Sequence, residues 1–250
     1  MSWTQEILSL AGLAGAGLVV MFGYTVVGLT GFGASMVAVP ILVLMMPLHV
    51  ALPMMLVFDL VSGLLFGVRL RRRADGRELL RLLPFMLVGV VLGVTVLVKA
   101  PERVLLLLLG GSVLVFAGWS LLRPGTAGSI RPMWAVPAGT VGGIFSALFG
   151  TGGPVYTMYL ARRLGDKATL RATISLLLFL SALARLASFL FAGLFTRPGL
   201  LPLILLMLPC ALLGMYLGAR LHHRLPGQRI TQLVWLVLIA GASSLILRHW

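Results

Sequence analysis

Val27-Gly28-Leu29-Thr30-Gly31-Phe32-Gly33-Ala34-Ser35 decides how this chain folds, because it breaks an apolar run where a break is costly. Upstream, Ile7–Gly28 is apolar over a length that can cross ~30 Å of hydrocarbon. Downstream, Ala34–Met46 is too short to cross alone. Inside a bilayer, main chain freed from a helix must face protein or a water-filled cavity. A second break of the same kind, Gly150-Thr151-Gly152-Gly153-Pro154, separates Met133–Phe149 from the short run Val155–Ala161. Two interrupted spans in one chain are the outline of an all-α polytopic membrane protein.

The rest of the sequence agrees. Full-length apolar runs occupy His49–Val68, Leu82–Val98, Val104–Leu122, Thr169–Ala192, Leu200–Leu221 and Ile230–Leu247. Only 10% of residues are charged, against about a quarter in soluble globular chains, and mean hydropathy is +1.08. The runs are continuous rather than alternating, which excludes a water-filled barrel. The net charge of +14 lies in short loops between runs, not on a basic face with interleaved aromatics, so nucleic acid is not a partner. The first run follows a segment whose only charge is Glu6, unlike the basic start of a cleaved signal, and it should stay in the membrane.

The breaks also expose a duplication. Gly31 and Gly33 recur as Gly150 and Gly152, 119 residues on, and Leu82-Leu83-Pro84 recurs as Leu200-Leu201-Pro202. The GxxxG pair Gly89/Gly93 recurs as Gly214/Gly218, and Pro101 as Pro226, both 125 residues on. This predicts an N-terminal repeat over 1–123, a cytoplasmic linker over 124–132 and a C-terminal repeat over 133–250. Loop charge sets their orientation. With Arg69–Arg81 in the cytoplasm and each broken segment returning to its starting side, fifteen Lys/Arg face inward and four outward. The repeats are then inverted, each with a broken or re-entrant hairpin plus three full transmembrane helices, and both termini lie outside. Inverted repeats with discontinuous helices are the layout of secondary transporters, which bind solutes near the midplane.

The breaks are also where chemistry is expected. Gly31, Gly33, Gly150, Gly152 and Gly153 permit positive φ and close approach of a ligand to main-chain N–H groups. The short helices that follow would aim N-terminal ends, with their partial positive charge, at an anion. Thr30, Ser35 and Thr151 add hydroxyls. Two charges lie within apolar runs, Asp59 and Arg185, and each is too costly to face lipid. Arg185 is expected to attract the anion and Asp59 to carry a coupling proton; the alternative is a pair that only neutralises itself. Gly89/Gly93 and Gly214/Gly218 are expected to be helix contacts. No nucleotide, zinc-protease or serine-hydrolase pattern is present, so neither an enzyme nor a bound cofactor or metal is expected, and transport would be secondary.

Gly31-Phe32-Gly33-Ala34-Ser35 with Val39-Pro40-Ile41-Leu42 resembles the first signature of the TauE/SafE family of sulfite exporters. Gly150-Thr151-Gly152-Gly153-Pro154 resembles the second, and Arg171-Ala172-Thr173 is similar to the pattern opening the next helix. The resemblance spans the whole chain. It implies export of sulfite or a small organosulfur anion across the bacterial inner membrane, driven by protons. Thr30, Gly31, Phe32, Gly33, Ala34, Ser35, Gly150, Thr151, Gly152, Gly153, Pro154 and Arg185 are then the expected ligand contacts. The expected partners are the small anion and the lipid bilayer, with a homodimer left open. An organic carboxylate carrier is the alternative, and a non-transporting scaffold the remote one.

Overall fold

The computed structural model describes residues 10–31, 33–67, 71–122 and 130–221. Phe32, Arg69, residues 123–129 of the linker, the segment Ile230–Leu247 and the Thr30 side chain lie outside the described residues.

Nine α-helices and no strand form among the described residues. They are α1 (Leu10–Thr30), α2 (Ala34–Leu42), α3 (Leu48–Ser62), α4 (Gly76–Lys99), α5 (Glu102–Leu122), α6 (Ala135–Phe149), α7 (Gly153–Leu160), α8 (Lys167–Phe191) and α9 (Leu200–Leu221). Among the described residues, six stretches are long and apolar enough to cross a membrane: Gly12–Leu29, Leu48–Leu65, Gly76–Lys99, Pro132–Phe149, Lys167–Phe191 and Leu200–Leu221. The chain stops and restarts these helices with local chemistry. Asp75 caps α4 by accepting the Glu78 amide at 2.9 Å. Asp166 caps α8 through the amide and hydroxyl of Thr169, at 2.8 and 2.7 Å. Those bonds hold the exposed Asp166 carboxyl below its ordinary pKa.

The helices gather into two compact units, each drawn from both halves of the sequence. One comprises α1, α2, α3 as far as Phe58, most of α5, and α9. Within it α9 lies along α1. A Cβ on Gly214 or Gly218 would come under 3.0 Å from the carbonyl oxygens of Met21 or Thr25, so the two backbones touch. Tyr24, fully buried, donates to the Met55 carbonyl at 3.1 Å. Glu102, at the start of α5, accepts the Leu48 amide at 2.7 Å and so caps α3.

The other unit comprises 59–100 and 120–192. Here α4 lies along α6, and Gly89 and Gly93 meet the backbones of Thr140, Gly143 and Ile144 and the Ala147 methyl. The two helix pairs are alike in detail. Thr140, Ile144 and Ala147 stand 119 residues beyond Met21, Thr25 and Gly28, as Gly214 and Gly218 stand 125 beyond Gly89 and Gly93. Both pairs put glycine inward and large aliphatics outward, with Leu87, Val88, Val91 and Leu92 exposed on α4 and Leu205, Leu206, Leu212 and Leu213 on α9. In water that arrangement would waste apolar area. Against lipid tails, as apolar as leucine, close backbone packing is what holds helices together.

Candidate functional site

The first break is shaped by two glycines. After α1, the Gly31 amide donates to the Val27 carbonyl at 2.6 Å. Gly31 then takes φ 91° and Gly33 φ 99°, a region open to glycine and strained for other residues. Gly33 is the N-cap of α2, and Ala34 and Ser35 are buried in its first turn. A Cβ on Gly33 would meet no described atom within 4 Å, so its requirement is conformational rather than spatial.

The second break uses its glycines differently. Gly150 ends α6 with φ 71°, its amide donating to the Ser146 carbonyl at 2.8 Å and that of Thr151 to the Phe145 carbonyl at 3.2 Å. Gly152, expected at positive φ, instead has φ −65° as the N-cap of α7. What it needs is room: a Cβ there would lie 2.6 Å from the Gly142 carbonyl and 3.0 Å from the Tyr156 ring. Gly153 and Pro154 begin α7 in helical conformation, where proline's missing N–H costs nothing. Thr151 is 2% exposed, and its hydroxyl has no hydrogen-bond partner.

Asp59 and Arg185 come together. Arg185 Nη2 donates to Asp59 Oδ2 at 3.0 Å, with side chains 5% and 18% exposed respectively. Nη1 donates to the Ser146 carbonyl at 3.1 Å. That carbonyl also receives the Gly150 amide, so the guanidinium is fixed to the end of α6 at the break, where the helix dipole favours a cation. Nε makes no hydrogen bond. Ser146 and Ser181 share a hydrogen bond at 2.7 Å beside it, both fully buried. The Tyr156 side chain is fully buried, and its hydroxyl makes no hydrogen bond. Arg185, Asp59 and the Gly150–Pro154 break therefore belong to one polar cluster. The first break lies in the other compact unit.

Sequence reasoning missed a second cluster. Glu78, 4% exposed, takes Arg163 through Nε and Nη2 at 3.0 and 2.7 Å, Arg81 at 2.6 Å, and the Tyr159 hydroxyl at 2.6 Å. Arg163 also donates to the Ile130 carbonyl at 3.1 Å. The network ties the end of α7 to the start of α4 and uses every oxygen of the carboxylate, which marks it as structural. Its only trace in the sequence is Glu78 three residues before Arg81. Tyr156, Ser146 and Ser181 were missed too, as polar residues inside apolar runs without charge.

The family model for "Sulfite exporter TauE/SafE" matches residues 15–245. Among curated proteins, the chain is 30% identical over 199 residues to "Probable inner membrane transporter protein TsaS" of Comamonas testosteroni, covering 79% of this chain and 83% of that one. No solved structure matches.

Proposed function

The chain belongs to the TauE/SafE family of membrane transporters, and on that premise we propose that it exports sulfite or a small organosulfur anion across the bacterial inner membrane by alternating access. The observation that carries this reading is Arg185, a buried cation whose Nε is unspent, fixed by the Ser146 carbonyl at a glycine break that interrupts a span. The multi-pass inner-membrane setting is supported by the six apolar spans and by the relative's description. Gly150–Pro154 and Arg185 are the primary ligand contacts in this reading, and Thr30–Ser35 is their counterpart in the other half. The recurring helix contacts, Gly89/Gly93 on α6 and Gly214/Gly218 on α1, support two repeats of one plan. Loop charge supports their inversion, with both termini outside.

Asp59 is the proposed proton carrier. While ionised it neutralises one edge of the Arg185 guanidinium. A proton on Asp59 leaves that charge to the anion, so anion and proton bind together. Co-transport of one proton makes movement of a monovalent anion electroneutral, and in this scheme the substrate's own outward gradient moves the pair, not the proton gradient that the family resemblance implies.

A ligand screen on the purified protein tests the assignment. Sulfite or a small sulfonate should raise the melting temperature, because binding to the folded state alone stabilises it by mass action. Stabilisation by acetate and other carboxylates, with none by sulfite or sulfonates, would replace the sulfur anion with an organic acid.

A further inference from the structure

Tyr156 occupies a place that two glycines are needed to make. Its ring is fully buried, against Gly142 of α6 on one edge and the N-cap Gly152 on the other. A Cβ at either glycine would come to 3.0 Å or closer to the ring. The glycine break thus has a second product besides main-chain N–H groups: it seats a phenol deep in the unit, its ring and the Ser146 side chain each 3.0 Å from where a Gly152 Cβ would stand, and the Ser146 carbonyl is the one that holds Arg185. Ser146 and Ser181 are bonded to each other, and the Tyr156 hydroxyl has no hydrogen-bond partner. Three residues on, the Tyr159 hydroxyl is fully used by Glu78.

A hydroxyl buried with no hydrogen bond carries a desolvation cost, and Arg185 Nε is unmade as well. Phenylalanine would fill the same space without that cost. The hydroxyl and Arg185 Nε are two unspent donors buried in the same compact unit, and both are suited to oxygen atoms bearing negative charge. We propose that Tyr156 is a direct ligand of the transported anion, its hydroxyl donating to one oxygen while Arg185 Nε donates to another. This rests on the reading of the protein as an anion transporter and names a contact that the glycine motifs do not contain. It also states the ligand class: an anion with at least two acceptor oxygens on one centre.

The test is Tyr156→Phe in the full chain, purified in detergent, with Tyr159→Phe beside it. Sulfite and methanesulfonate are the probes, read by calorimetric titration and by melting temperature without anion. Tyr156→Phe should weaken binding roughly 10- to 100-fold, the loss of one hydrogen bond to a charged ligand. Its melting temperature without anion should stay at or above that of the wild type, since the hydroxyl removed has no partner. Tyr159→Phe should do the reverse, melting lower and keeping its affinity. Wild-type affinity in Tyr156→Phe would overturn the proposal, as would a melting loss with affinity kept, which would make the hydroxyl part of the fold through a bound water. If the wild type binds neither probe, the anion-transport reading fails and takes this contact with it.

Discussion

Removing Arg185 separates the two roles that its position allows. Arg185→Ala deletes the 3.0 Å bond to Asp59 and the 3.1 Å bond to the Ser146 carbonyl. The carbonyl keeps its bond from the Gly150 amide, so its loss is small. Asp59 is left with its cation gone. Breaking a fully buried ion pair costs about 3–5 kcal/mol. Asp59 is 18% exposed on its side chain, so some solvation survives and we take about 2–4 kcal/mol as the expected loss. At roughly 2–4 °C per kcal/mol for a chain of this size, the melting temperature should fall by several degrees. Asp59→Asn in the same chain removes the charge that Arg185 balanced and should restore most of that stability. Binding should not follow stability. The double variant should be stable and unable to bind sulfite, while Arg185→Lys should bind weakly, because an ammonium lacks the planar fork that reaches Asp59, Ser146 and the ligand at once. Melting curves and sulfite titrations on both single variants and the double variant decide the matter. Full sulfite binding by the double variant would reduce Arg185 and Asp59 to a self-neutralising pair.

Gly33→Val should leave protein in the membrane and abolish transport, since a β-branched residue does not adopt φ 99°, while Gly33→Asn should retain part of the activity; normal transport by Gly33→Val would detach the first break from the site. Gly89→Ala and Gly214→Ala should each destabilise by about 1–3 kcal/mol through forced separation of α4 from α6 or α9 from α1, read as lower melting temperatures. Equal effects are expected because the contacts are equivalent, and a change confined to one of them would argue against a common plan. In a Cys210→Ser background, cysteines at Asp75 and Ala168 should be protected from an impermeant thiol reagent outside intact cells, and one at Arg197 should react. Labelling of position 168 from outside would remove the inversion.

The sequence made the six described spans and both breaks legible, because continuous apolar runs and glycine clusters are local signals. The helix capped by Asp166 begins two residues before its expected run, whereas the one capped by Asp75 begins six residues before Leu82, because the cap and not the apolar run sets the start. The Arg185–Asp59 contact was half legible: opposite charges in apolar runs must find a partner, but that they find each other depends on packing across 126 residues. Tyr156 and Glu78 were not legible for the same reason. Tyr156 differs from a core tyrosine only in having no partner, and Glu78 from a loop glutamate only in having three. Gly152 was read as a conformational glycine when its neighbours, Gly142 and Tyr156, make it a spatial one. The pairing of α1 with α9 and α4 with α6 was hidden too, since GxxxG spacing announces a contact without naming the opposite helix.

Sulfite flux through the purified protein in liposomes is the most direct test of the account. Vesicles loaded with sulfite should release it at a rate well above protein-free vesicles, and the rate should fall to that background with Arg185→Ala/Asp59→Asn, a variant expected to be folded. Background flux from the wild type, or undiminished flux from the double variant, would contradict the claim that this chain carries a sulfur oxyanion on Arg185.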